Sequence, residues 1–330
     1  MVTNIPNACC RVPRWYFFAL GILVGAIVGV NAAGSLLVGG VQTKGTELVH
    51  VGPLSPAARV FALFLALASL LGIVVAAWFI SRRRYYLNRP RPRIQPQVLL
   101  LGFLAGVLAN ILFGGILAGS LLICGVEPVR DVYTAIHIVA QSVAAVLGLL
   151  AAFAVLRFLT SYTREDVREI GWRSGNFLRE VIWGVAGYCG AMPFVGLSVA
   201  IAQYLSRILF REAVFPEHPI VGQLLEGRAA FAAAVFLAAI VAPIVEEVFF
   251  RGYLHTALRS VMGFWGAGAT SAAIFAAIHP TMPVGFLPLF ALGFVLAVLR
   301  ESTGSLVPSM VCHCVNNSVA LALVRIIYGG

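Results

Sequence analysis

AAFAAAVFLAAIVAPIVEEVFFRGYLHT, residues 229–256, decides what kind of protein this is. Residues 229–245 carry no charged side chain and no hydroxyl, and about 20 apolar residues cross the hydrocarbon core of a bilayer as a helix. Then come Glu246, Glu247 and, four residues after the second, Arg251. A charge at the centre of a span costs about 2.5–3.5 kcal/mol on insertion scales. Three ionisable groups within six residues of a span are therefore a candidate site.

The rest of the chain agrees. Of 330 residues, 60% are hydrophobic and 11% charged, against roughly 25% charged in a soluble protein. Mean hydropathy is +0.95. The expected fold class is an all-α polytopic membrane protein, because helices satisfy their own backbone in lipid. Nine apolar segments, near 16–39, 58–80, 98–124, 132–156, 180–204, 229–256, 264–280, 285–300 and 305–327, predict about nine transmembrane helices.

The net charge of +10 resides mostly in arginines. They sit between apolar runs, which is the distribution that orients a membrane protein rather than one that binds nucleic acid. Residues 81–93 carry six arginines and no acid, and residues 157–179 carry five more beside Glu165, Asp166 and Glu169. Both stretches are expected on the cytoplasmic side, with Arg11, Arg14 and the N-terminus, which leaves the C-terminus external. The first segment reads as a retained span. The expected location is a membrane, the cell membrane if the source is bacterial. Two regions are expected: a four-span N-terminal region, 1–160, of unknown role, and 161–330.

The six cysteines form neither a zinc ribbon nor a disulfide framework. Cys9 and Cys10, just before the first span, are candidates for acylation. Gly21, Gly25 and Gly29, with the pairs Gly102/Gly106 and Gly115/Gly119, have the spacing that lets helices approach closely. No internal repeat is found.

Helical geometry divides the first motif. Glu247 and Arg251, four apart with the acid first, share a face and can neutralise each other. Glu246 projects about 100° away and has no intrahelical cation. A carboxylate left free against an apolar wall suits a general base or acid. It should lie deep, about 13 residues or roughly 20 Å from the end of its helix. Two further motifs follow: Phe275-x-x-x-His279, before Pro280, and His313-Cys-Val-Asn-Asn317. His313 and Asn317 share a helical face; Asn316, three from His313, is an alternative partner. A free carboxylate, two imidazoles and an amide match what hydrolysis of an amide by water needs: a base, groups that orient the water or bind a metal, and a donor for the developing oxyanion. The His-Glu-x-x-His string of soluble zinc proteases is absent, so the groups must converge from three helices. His255, on the face of Glu247 and Arg251, and His137 read as packing contacts; His50 and His218 fall in loops.

The E-E-x-x-x-R, F-x-x-x-H and H-x-x-x-N motifs, in that order, resemble the CPBP family of CAAX proteases and bacteriocin-processing enzymes. The resemblance extends to Gly252-Tyr253-Leu254, Gly293, Thr303-Gly304-Ser305-Leu306 and Pro308, and covers about residues 165–325. It implies a helical bundle, often of eight spans, with a catalytic cavity inside the membrane, open to the cytoplasm, and makes 161–330 the protease region. It implies that Glu246 activates water, that His279, His313 and Asn317 complete the site, and that Glu247 and Arg251 support it. Either zinc, held by His279, His313 and Glu246, or a metal-free glutamate mechanism is compatible with it. The implied substrate is a membrane-associated peptide, of the prenylated CAAX or bacteriocin-leader kind, met in lipid. The rival readings are a catalytically silent scaffold or immunity protein of the same fold and a proton-coupled transporter. Oligomeric state is left open.

Overall fold

The structure is a computed structural model of the 330-residue chain. It describes residues 41–44, 47–50, scattered helical positions between 60 and 78, and residues 92–123, 130–159, 168–172, 175–210, 227–279, 281 and 283–328. Seven helices form the body: α1 Pro96–Ile123, α2 Arg130–Leu159, α3 Phe177–Phe210, α4 Arg228–Val261, α5 Phe264–Ala277, α6 Phe286–Thr303 and α7 Val307–Tyr328. Among the described residues the one exception to helix is a hairpin, β1 Val41–Lys44 paired antiparallel with β2 Glu47–His50, Val41 facing His50. His50, expected in a loop, ends β2.

Seven of the nine expected segments are thus helices with nearly the expected bounds. Five stretches are long and apolar enough to cross a membrane: Pro96–Leu117, Ala135–Val155, Phe177–Ile208, Arg228–Val261 and Phe286–Thr303. Phe264–Ala277 and Val307–Leu323 are shorter apolar helices. At 1.5 Å per residue the 14-residue α5 reaches only about 21 Å, against a hydrocarbon core of about 30 Å. Five of the nine expected spans thus meet that length and composition among the described residues, with 58–80 described only in part. The segment 16–39, the cysteines at 9 and 10, the glycines at 21, 25 and 29, most of the arginine-rich stretches and His218 lie outside the described residues.

Helix α4 occupies the centre. Its buried face (Val245, Val248, Phe249, Phe250, Tyr253, Leu254 and Ala257) forms one core with Leu99 of α1, Ala145 and Ala152 of α2, Phe275 of α5 and Met310 of α7. The glycines of α1 make room for it. A Cβ at Gly102 would stand 2.5 Å from the Tyr253 ring, and one at Gly106 would overlap the Phe249 ring. Small residues here admit aromatic side chains rather than a second backbone. Gly115, by contrast, faces nothing within 4 Å among the described residues.

Helix α3 packs through Tyr188 and Cys189 on Leu292, Leu296 and Leu299 of α6 and Cys312 of α7. The turn from α6 to α7 is closed by Gly304 at φ 72°, whose N–H donates to the Arg300 carbonyl at 2.9 Å; only glycine takes that backbone region without a steric cost. Glu169 ties the chain ahead of α1 to the chain ahead of α3, its Oε2 accepting the N–H groups of Arg93 and Ile94 at 2.8 and 3.0 Å. The outward faces of α1, α2 and α3 are exposed Leu, Ile, Val and Phe, the surface expected toward lipid.

Candidate functional site

Helix α4 is not regular. π-helical turns at Leu237–Val241 and Val248–Leu254 bracket a six-residue α-helical piece, Ala242–Glu247, that ends in the two glutamates. Such insertions occur mostly as single turns inside α-helices, often at functional sites. Pro243 sits at the start of that piece. The irregular backbone is held by side chains: Ser271 of α5 donates to the Phe250 carbonyl at 3.2 Å, and Thr256 of α4 itself to the Arg251 carbonyl at 3.3 Å.

Glu247 and Arg251 form the expected pair. Arg251 Nη1 donates to Glu247 Oε1 at 2.9 Å, and both side chains are 0% exposed. Arg251 Nη2 donates to the Gly293 carbonyl of α6 at 2.9 Å. The guanidinium also lies over the Phe275 ring, 4.8 Å from its centroid. A buried ion pair is viable only when such further partners satisfy the charges.

His313 of α7 joins the two glutamates. Its Nδ1 is 3.1 Å from Glu247 Oε1, and its Nε2 is 3.7 Å from Glu246 Oε2. Glu247, ionised beside Arg251, can only accept, so Nδ1–H donates to it, and Nε2 is the nitrogen that faces Glu246. At 3.7 Å that second separation exceeds a direct hydrogen bond and is what one bridging water or proton would close. Glu246 is 30% exposed on its side chain, where His313 is 3%. The expectation of a buried Glu246 is corrected to this extent: it is the open member of the group.

His279 arrives by a shared neighbour. Phe275, wholly buried, has the His279 ring at 4.7 Å and the His313 ring at 5.8 Å between centroids, both edge-on. His279 Nδ1 lies 3.2 Å from the Phe275 carbonyl one turn back. Among the described residues, no group of three or more His, Cys, Asp or Glu side chains is arranged to hold a metal ion; the His313 Nδ1–Glu247 bond leaves Nε2 as that ring's unengaged nitrogen.

Asn317 turns to α4 rather than to His313. Its Nδ2 donates to the Ala238 carbonyl at 2.8 Å, while its Oδ1 accepts from Asn316 at 3.2 Å. Asn316, the alternative partner for His313, instead supports Asn317.

One cluster was missed by sequence reasoning. Glu301 of α6 accepts from Arg259 Nε at 3.1 Å and Nη2 at 2.9 Å, with His255 Nε2 3.5 Å away, all three buried. The signal was available. Glu247, Arg251, His255 and Arg259 recur every four residues on one face of α4, and Glu301 is the sole acid of the apolar stretch from 281 to 303.

Comparison with known proteins fits this arrangement. Residues 228–319 match the family model described as "Type II CAAX prenyl endopeptidase Rce1-like". The chain is also similar to the "Putative membrane peptidase YdiL" of Bacillus subtilis (strain 168), 24% identical over 184 residues, which cover 56% of this chain and 72% of the relative. No solved structure matches. Over residues 228–319, a stretch that spans all three motifs, the chain is thus similar to the Rce1-like CAAX-protease family.

Proposed function

We propose that the protein is an intramembrane endopeptidase in which Glu246 activates the attacking water. The observation that carries this reading is the placement of His313 between two unequal glutamates, one buried and paired with Arg251, the other open. Glu247 fixes the imidazole with its Nδ1–H inward and leaves Nε2 for the chemistry, the role a carboxylate plays behind a catalytic imidazole.

The Glu246 carboxylate removes a proton from water as the oxygen attacks the scissile carbonyl carbon. His313 Nε2 and Glu246 share that proton. It is then delivered to the leaving amine nitrogen as the carbon–nitrogen bond breaks, and the free carboxylate returns. His279, which packs on the same Phe275 ring as His313, supplies the donor toward the carbonyl oxygen. No step is routed through a metal. The substrate enters beside Glu246, where the site is open, and belongs to the class the family resemblance implies: a peptide held at a membrane, prenylated CAAX-type or leader-type. Residues 161–330 are the unit that would carry the reaction.

The test is hydrolysis of a peptide library, containing prenylated and unprenylated members, by purified protein in liposomes. The wild type should cleave and Glu246→Gln should not. A parallel arm with a zinc chelator reads metal dependence directly. Equal rates in wild type and Glu246→Gln, or no cleavage by either, would sink the reading.

A further inference from the structure

The bond from Asn317 to Ala238 has a cause in the backbone of α4. In the first π-helical turn the Ala242 N–H donates to the Leu237 carbonyl, five residues back. In an α-helix that N–H would have gone to Ala238. The next bond in the five-residue register would run from residue 243 to the Ala238 carbonyl, and residue 243 is proline, which has no N–H. Ala238 is thus left without its α-helical donor by the register shift and without its π-helical donor by Pro243. Asn317 Nδ2, at 2.8 Å, supplies the missing hydrogen. Asn316 fixes which end of the amide does so, since its own N–H takes Asn317 Oδ1.

The geometry points to Pro243 and Asn317 as one positioning device, a pin from α7 that holds the register of the turn that ends five residues ahead of Glu246. Removing the pin lets the turn revert. Losing the extra residue of a π turn rotates all that follows by about 100° relative to what precedes it. Glu246 and Glu247 would then no longer meet the two nitrogens of His313. Asn317 is in this account a positioning residue, and its amide acts through the backbone of α4.

The test is a double-mutant cycle on the full chain in detergent, read first by Tm. Asn317→Leu, close in volume and without a donor, should lower Tm by several degrees, and Asn317→Ala at least as much. Pro243→Ala restores an N–H that can reach Ala238, or frees that of Ala242 to return to it. In the Pro243→Ala background, Asn317→Leu should therefore cost little further Tm. Equal losses in the two backgrounds, or no loss in either, overturn the pin. The second reading is kcat and rests on the proposed protease activity. In the parent chain Asn317→Leu should lower kcat, up to about 100-fold for a misplaced reacting group, with KM kept. In the Pro243→Ala background it should produce no additional loss. A donor to the oxyanion would lose about 100-fold or more in both backgrounds, and that outcome overturns the positioning role. The Tm cycle needs no turnover, so an inactive wild type would defeat the protease reading while the pin is still judged by Tm.

Discussion

Glu247 Oε1 lies 3.1 Å from His313 Nδ1, across 66 residues of chain, while also receiving Arg251 Nη1 at 2.9 Å. One carboxylate oxygen thus neutralises a buried cation and fixes the tautomer of the imidazole that faces Glu246. The two adjacent acids of α4 differ in burial because they differ in neighbours.

Glu246→Gln should remove activity and leave the fold intact. The side chain is part-exposed, and the amide keeps its volume. Loss of a general base lowers kcat by about 100- to 10,000-fold. Hydrolysis rate and Tm, measured on the same preparation, check both halves.

Arg251→Ala should be among the most destabilising single changes, about 3–5 kcal/mol, because it leaves Glu247 buried and unpaired. Arg251→Lys should not rescue it, since one ammonium cannot replicate the fork that reaches both Glu247 and the Gly293 carbonyl. Thermal unfolding in detergent reads this; wild-type Tm in either variant would contradict the account.

Gly293→Val should weaken the same pair from the α6 side. A Cβ there would stand 3.2 Å from Arg251 Nη2 and from Ala272 Cβ, and overpacking of this kind costs about 1–3 kcal/mol. Gly293→Ala should cost less. The expected order in Tm is wild type, then alanine, then valine.

Gly102→Leu and Gly106→Leu should destabilise the site from the N-terminal half, by about 1–3 kcal/mol each, since each displaces an aromatic ring of the α4 segment that carries Arg251. Gly115→Leu, with no neighbour within 4 Å among the described residues, should be close to neutral. If all three behave alike, close packing of α1 on α4 is not the reason.

Glu301→Ala should destabilise through Arg259 and His255, which lose their common acceptor while buried. A cost of about 3–5 kcal/mol is expected for an uncompensated buried charge. Adding Arg259→Met should recover part of it, and the cycle of the two singles and the double measures how much.

Sequence alone determined the helical class, most helix bounds and the three motifs, because hydropathy and four-residue spacing are local properties. The Glu247–Arg251 pair follows from spacing within one helix, and it formed as expected. Spacing could not place the partners of Glu246, the openness of that residue, or the attachment of Asn317 to α4. These depend on how α5, α6 and α7 dock on α4 and on two π-helical turns that shift its register, and backbone register has no signature in residue composition. Glu301 is legible in sequence as the lone acid of an apolar stretch, but its partners depend on the same docking. An acid at a helix end reads as solvated until a second helix brings Arg259 and His255 to it, and only then does burial make its partners obligatory.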